Sequence, residues 1–202
     1  MTTQHPTYGF FGKIPAVGDF VQRNLSRPVA DAIDNWLQQG MFLMSRQEPA
    51  FLENYCAAST SFFILPPQSW ANQAVAGFII PSYDRVGRQY PLVVVRLLQP
   101  QQPALPAQLS GELEYVCNSV ITCLQHGAGP DALQQHLLEC AAVSPTTDEK
   151  SVLIPAPEHL PLNNTSSLWW RKTQNNYQQV KTFNSMDPTA IFEFLYQKQI
   201  EQ

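Results

Sequence analysis

The chain has 202 residues, a formal net charge of −4 and only 14% charged side chains, whereas hydrophobic residues make up 44%. This size and apolar content suit one domain with a substantial core, and an acidic chain without a basic block argues against nucleic acid or an anionic membrane as a partner. The sequence has no apolar run of about 18 residues or more and no signal-peptide pattern, so we expect neither a membrane span nor export, but a cytoplasmic location.

A strand and a long helix are predicted at the start of the chain. Tyr8 to Phe11 is a short aromatic strand that ends at Gly12. Ser26 is predicted to cap a helix whose apolar residues recur at helical period on one face. These residues are Val29, Ile33, Trp36, Leu37, Met41 and Met44. Gly40 lies on the same side, where it would allow close packing.

A short helix from Pro49 to Tyr55 and a strand at Ser61–Leu65 precede the clearest pattern, a β-hairpin. The apolar run 77–80 stops at a proline, and the run 92–98 begins just after another proline. Residues 93–95 are three valines without polar alternation, so this strand is expected to be covered on both faces. Consecutive strands joined by short links are antiparallel, unlike the alternating order of nucleotide-binding folds.

A proline- and glutamine-rich stretch at residues 100–110 is predicted to be a linker. Two organisations remain open at this point. The chain is either one domain spanning 1–202, or it has two lobes, a signature-bearing lobe at 1–99 and a C-terminal helix and strand lobe at 111–202.

The second half predicts helices followed by short strands. Ser110 would cap a helix reaching residue 124, and a second helix spans about 131–142. Three short strands are predicted at residues 151–154, 167–170 and 180–183. Asp187 caps the last helix with Pro188 in its first position, and Ile191, Phe194 and Leu195 form its buried face. The whole pattern predicts an α/β (α+β) fold: a mainly antiparallel or mixed β-sheet covered by helices on both faces, in three α/β/α layers.

The sequence lacks the common patterns of catalytic and metal sites. There is no G-x-S-x-G or H-E-x-x-H motif, and Lys13 follows the first glycine of its loop, not the second as in a Walker A loop. The histidines, at positions 5, 126, 136 and 159, do not have helical metal spacing. The cysteines form no C-x-x-C pair, which is typical of reduced, packed thiols. We therefore expect no enzyme activity, no catalytic residues, no cofactor and no metal.

Two loops carry the charged residues that form the candidate site: Lys13, Asp19, Arg23, Asp84, Arg85 and Arg88. In one account they form a structural network, in which Asp84 accepts hydrogen bonds from turn amides and Arg88 pairs with Asp19. In another, the arginines face solvent and bind an acidic or phosphorylated partner segment. A third account, acid–base chemistry by the carboxylates, lacks a nucleophile or a metal set.

The same loops carry a family resemblance. GFFGKIPAVGDFVQRNL at residues 9–25 and PSYDRVGRQYPL at residues 81–92 resemble the two signature blocks of the type VI secretion-associated TagF (ImpM) family. Further matches are SLWWR at residues 167–171 and the last helix, which begins with Asp-Pro. The resemblance therefore covers nearly the whole chain.

The resemblance implies a non-catalytic cytoplasmic accessory protein that represses the type VI secretion system after translation. Its implied partner is the forkhead-associated-domain scaffold protein of that system, and charge reversal of Arg85 or Arg88 should then weaken co-purification. The alternative is a hydrolase or a small-molecule-binding regulator that uses the loops of Asp19, Asp84 and Arg88.

Overall fold

The computed structural model describes residues 7–98, 106–142, 165–172 and 178–196. The predicted strand at 151–154, most of the predicted linker, and the histidines at positions 5 and 159 lie outside the described residues. The elements in chain order are β1 (Tyr8–Gly12), β2 (Val21–Arg23), α1 (Arg27–Gln47), α2 (Phe51–Ala57), β3 (Ser61–Leu65), β4 (Val75–Ile80), β5 (Leu92–Leu97), α3 (Pro106–Gln125), α4 (Pro130–Ala142), β6 (Ser167–Lys172), β7 (Gln178–Phe183) and α5 (Pro188–Tyr196).

The described strands form one sheet in the order β2-β1-β5-β4-β3-β6-β7, and every neighbouring pair is antiparallel. An α+β fold built on an antiparallel sheet is therefore confirmed. The predicted hairpin is also confirmed, because β4 pairs with β5 from Val75–Leu97 to Ile80–Leu92. The three-residue strand β2 was not predicted, since a run this short has no periodicity to detect.

Alternate residues of the central strands contribute to two separate hydrophobic cores. Phe10 and Val94 pack with residues of α3 and α4, whereas Phe11, Val93 and Val95 pack with residues of α1, α2 and α5. The prediction that the valine strand is buried on both faces is thus confirmed. Helices packed on both faces of a sheet require two such cores, each made from alternate residues of the strands. The three-layer arrangement stays a prediction.

Helix α1 packs against α5 at a glycine. The Cβ of any larger residue at Gly40 would lie 2.2 Å from Cε2 of Phe192, so the predicted close approach at this position is confirmed. The adjacent Trp36 stacks on Trp169 of β6 and donates its indole N–H to the carbonyl of Met186 at 2.9 Å. The long helix therefore covers the sheet and the start of α5 together.

The predicted start of α3 was wrong. The helix begins at Pro106, so Ser110 lies inside it with its side chain buried. Proline suits the first helical turn because its missing N–H would have no partner there. A serine can cap a helix only where the chain enters it, and here the chain enters four residues earlier.

The C-terminal strands extend the same sheet as the first half, because β6 pairs with β3. Whether the chain is best divided into one domain or two lobes stays a prediction. None of the helices within the described ranges has the length and apolar character needed to cross a bilayer.

Candidate functional site

Two loops lie side by side at one end of the sheet. The first loop (residues 13–20) follows β1, and the second loop (residues 81–91) joins β4 to β5. Gly12 at the end of β1 pairs with Leu92 at the start of β5, which places the two loops together. Gly12 has a φ of 140°, and a Cβ there would lie 2.0 Å from the carbonyl oxygen of Pro91, so only glycine fits at this junction.

Hydrogen bonds join the two loops directly. Ser82 Oγ donates to the carbonyl of Lys13 at 2.8 Å, and the Arg85 amide donates to the carbonyl of Val17 at 2.9 Å. Arg88 Nη2 donates to the carbonyl of Gly18 at 2.6 Å. These three bonds, two from side chains and one from the backbone, hold the two loops in a fixed position relative to each other.

Asp84 is the centre of this network and is fully buried. Its Oδ1 accepts the amides of Val86 and Arg88, both at 3.0 Å, which confirms the predicted bonds to turn amides. Its Oδ2 accepts Lys13 Nζ at 3.0 Å and Arg88 Nε at 2.7 Å. Gly87 completes the turn with a φ of 86°, a value that favours glycine.

These contacts hold Asp84 in its ionised form. Burial alone would raise the pKa of the Asp84 carboxyl, but hydrogen bonds from the Arg88 amide, the Lys13 side chain, the Arg88 side chain and the Val86 amide outweigh it. The pKa of Asp84 therefore lies well below its ordinary value. A carboxylate held in this way is a poor proton acceptor and a good structural anchor.

The predicted pair of Arg88 with Asp19 was wrong. Arg88 pairs with Asp84, four residues earlier in its own turn, while Asp19 is exposed and accepts the amide of Phe20 at 2.8 Å. The turn places the Asp84 carboxylate against the Arg88 guanidinium, so Arg88 does not need Asp19 of the other loop as its partner.

The expected convergence of Arg23 with this network was also wrong. Its Nε and Nη2 donate to Asp131 Oδ1 at 3.1 and 2.7 Å, which attaches β2 to helix α4. Arg23 lies opposite Phe10 in the sheet, and cross-strand partners share a face. Its side chain therefore points to the face covered by α3 and α4 and bonds Asp131, not the residues of the loop network.

Two tyrosines support the loops and were missed by sequence reasoning. Tyr55 Oη donates to the carbonyl of Ser82 at 2.9 Å and accepts the Ser82 amide at 2.8 Å. Tyr90 Oη donates to Asp34 Oδ1 of α1 at 2.6 Å. Burial, followed for Tyr90 by the bond to Asp34, raises the pKa of both phenols above the ordinary value. No local pattern marks such contacts, because each joins residues far apart in the chain.

The outer side of the joined loops presents apolar side chains. Phe20, Tyr83 and Val86 are 46%, 48% and 68% exposed. The ring of Phe20 packs edge-on against Tyr90 and lies 5.1 Å from Lys13 Nζ, so it is held in place although it faces solvent. Together with the exposed Arg85 and Arg88, these three side chains form what we name the loop surface.

The histidines and cysteines of the described chain lie on helices or at their ends. Within it, no three His, Cys, Asp or Glu side chains are arranged to hold a metal ion. His126 contacts the carbonyl of Thr122 at the exposed end of α3, and His136 is half-buried on α4, as expected from their positions. The cysteines lie on α2, α3 and α4, in agreement with their predicted helical context.

Comparison with known proteins identifies the class. A family model described as "TagF N-terminal domain, Type VI secretion system-associated" matches residues 9–140, more than half of the chain and both loops. The chain is therefore a type VI secretion system-associated protein. Specifically, it belongs to the TagF family, which confirms the resemblance seen in the sequence.

A solved structure extends the similarity beyond the matched range. The crystal structure of PA0076 from Pseudomonas aeruginosa PAO1 is 26% identical, covers 97% of both chains and superposes with a TM-score of 0.72. The likeness therefore includes the C-terminal strands and helix that follow residue 140. A search of curated proteins found no match.

Proposed function

We propose that this protein is a non-catalytic cytoplasmic accessory protein of the type VI secretion system that represses the system after translation by binding a protein partner. The partner we propose is the forkhead-associated-domain scaffold protein of that system. The observation that carries the proposal is the loop surface: exposed apolar side chains held on a rigid network. Membership of the type VI-associated family supports the choice of system.

Rigidity is the first argument for a binding role. The loops are fixed to each other through Asp84, Lys13 and Arg88, and to α2 through the pair of bonds between Tyr55 and Ser82. A binding surface that is already ordered loses less conformational entropy when a partner docks. Loops positioned by a rigid sheet are also where binding residues concentrate.

The exposed side chains are the second argument. Aromatic side chains and arginine are enriched at protein interfaces, and two aromatic side chains and one valine lie here beside two arginines. A structural network alone would not require Tyr83 and Val86 to face solvent. The network and the partner-binding accounts of the charged residues are therefore compatible: Asp84 and Lys13 fix the loops, and the outward side chains are available for contact.

The alternative function, a hydrolase or small-molecule regulator, has less support. Both oxygens of Asp84 already accept hydrogen bonds, and its depressed pKa disfavours a role as general base. Asp19 is exposed and accepts a hydrogen bond from the amide of its own loop. Asp84 is therefore committed to the loop network, and Asp19 makes its hydrogen bond outside that network.

The proposal is tested by co-purification with the forkhead-associated-domain scaffold protein from type VI-positive cells. Val86→Ser should reduce capture about fivefold or more, because burying a valine side chain is worth about 1.5 kcal/mol or more. Leu138→Ser is the matched control: this leucine is 44% exposed but belongs to α4 and to neither loop, and capture should not change.

Circular dichroism and urea unfolding would verify that both variants stay folded, as expected for exposed sites. Failure of the wild-type chain to capture the scaffold protein would reject the proposed partner. An equal loss in the Leu138→Ser control would reject the loop surface as the binding face.

A further inference from the structure

The guanidinium of Arg88 is held at the edge of the loop surface. Its Nε donates to Asp84 at 2.7 Å and its Nη2 donates to the carbonyl of Gly18 at 2.6 Å. The side chain is still 62% exposed. Two of its nitrogens are therefore occupied, which fixes the plane of the group, and Nη1 makes no hydrogen bond within the described part of the chain.

The guanidinium of Arg85 lies beside the same glycine. A Cβ built on Gly18 would lie 3.8 Å from Arg85 Nη2. The amide of Arg85 donates to the carbonyl of Val17, so the position of its backbone is fixed. The side chain is exposed, and among the described residues no carboxylate pairs with it.

Positive charge exceeds negative charge at this point of the surface. Asp84 is one carboxylate shared by Lys13 and Arg88, and Arg85 adds a further cation nearby. Asp19 accepts the amide of Phe20 and pairs with neither arginine. In a chain whose net charge is −4, two neighbouring guanidiniums with free donors form a local positive site, and like charges held together favour an anion between them.

We infer that Arg85 and Arg88 bind a carboxylate of an acidic segment of the partner protein, next to which an apolar side chain of that segment contacts Val86 and Tyr83. This inference rests on the proposed function and adds the chemistry of the partner. A carboxylate is planar with two acceptor oxygens, which matches the donor fork of a guanidinium. The exposed apolar side chains on the same turn provide the second contact.

The inferred acidic segment is tested by measuring how short synthetic peptides bind to the full chain. Each peptide carries one glutamate and one leucine at varied spacing in a serine and glycine background, and a matched peptide carries glutamine in place of the glutamate. Binding is measured by fluorescence anisotropy at low and high salt, because contacts between exposed charges weaken with salt.

The wild-type chain should bind the best glutamate peptide about tenfold more tightly than its glutamine match, since hydrogen bonds to charged groups are among the strong ones. Arg85→Gln should remove this difference. It should not affect folding, because the Arg85 side chain makes no hydrogen bond within the described residues. Arg27→Gln is the matched control, as this arginine is 91% exposed on α1, and it should keep the difference.

Equal binding of the glutamate and glutamine peptides, or no binding of any glutamate peptide, would overturn the inference. So would an unchanged preference in Arg85→Gln. A panel with phosphothreonine in place of the glutamate separates the two kinds of oxyanion, and binding confined to those peptides would overturn the carboxylate assignment. A glutamate preference without capture of the scaffold protein would reject the proposed partner and leave the site standing.

Discussion

The Tyr55→Phe substitution tests whether the loop surface depends on helix α2. The phenol of Tyr55 is fully buried and bonds both the amide and the carbonyl of Ser82, while phenylalanine keeps the ring and its packing. The Ser82 carbonyl retains a second donor, the amide of Tyr90 at 3.0 Å. The substitution therefore leaves one buried group without a partner, the Ser82 amide.

The expected cost follows from these contacts. Losing the bond to the Ser82 carbonyl, which keeps the Tyr90 amide as a donor, lowers the stability by about 1 kcal/mol. Leaving the buried Ser82 amide without a partner lowers it by about 1–3 kcal/mol more. We expect the free energy of unfolding to fall by about 2–4 kcal/mol in total. With a urea slope near the middle of the usual range, the midpoint would move down by about 1–2 M.

Urea unfolding followed by circular dichroism and tryptophan fluorescence measures this change, and amide hydrogen exchange at Ser82 reports the local effect. Tyr115→Phe is the matched control, because this tyrosine on α3 is 39% exposed and its change should stay within about 0.5 kcal/mol. A loss below that value in Tyr55→Phe, with unchanged exchange at Ser82, would refute the claim that α2 supports the loops.

Two further predictions concern packing and charge. Gly40→Ala should lower the free energy of unfolding by about 1–3 kcal/mol, because its methyl group would displace the ring of Phe192. Gly18→Ala is the control: its methyl group would make only an ordinary contact with Arg85, so the urea midpoint should change little. The pKa of Asp84 is lower in the folded chain, so its ionised form stabilises the fold above about pH 4 and this contribution is lost as the pH falls. Asp84→Asn should accordingly be less stable at neutral pH and show a weaker loss of stability on acidification; an unchanged pH profile would argue against the buried network.

Local features of the fold were predictable from the sequence, and distant contacts were not. The β4–β5 hairpin and the turn bonds of Asp84 depend on residues within a few positions of one another. The attachment of Arg23 to Asp131 joins residues 108 positions apart, and the bond between Lys13 and Asp84 spans 71 positions. Single-sequence patterns carry no information on which distant side chains meet, because that depends on strand order.

The same limit explains the errors at the site. Arg88 has carboxylates in both loops as possible partners, and only the path of the turn determines that the nearer one is used. The short strand β2 decides where Arg23 points, and three residues are too few to reveal a periodicity. The composition of the loops therefore pointed to a network as one of the accounts left open, while its pairings depend on the path of the chain in space.

The order of strands in the sheet has a consequence for biosynthesis. Strand β1 is made early but pairs with β5, whose first residue follows the end of β1 by about eighty positions. A ribosome-bound chain that has emerged only as far as β3 lacks one of the two loops altogether. The proposed binding of a partner by the loop surface would thus require β1 to have paired with its late-synthesised neighbour, and a nascent chain that ends before β5 would not show it.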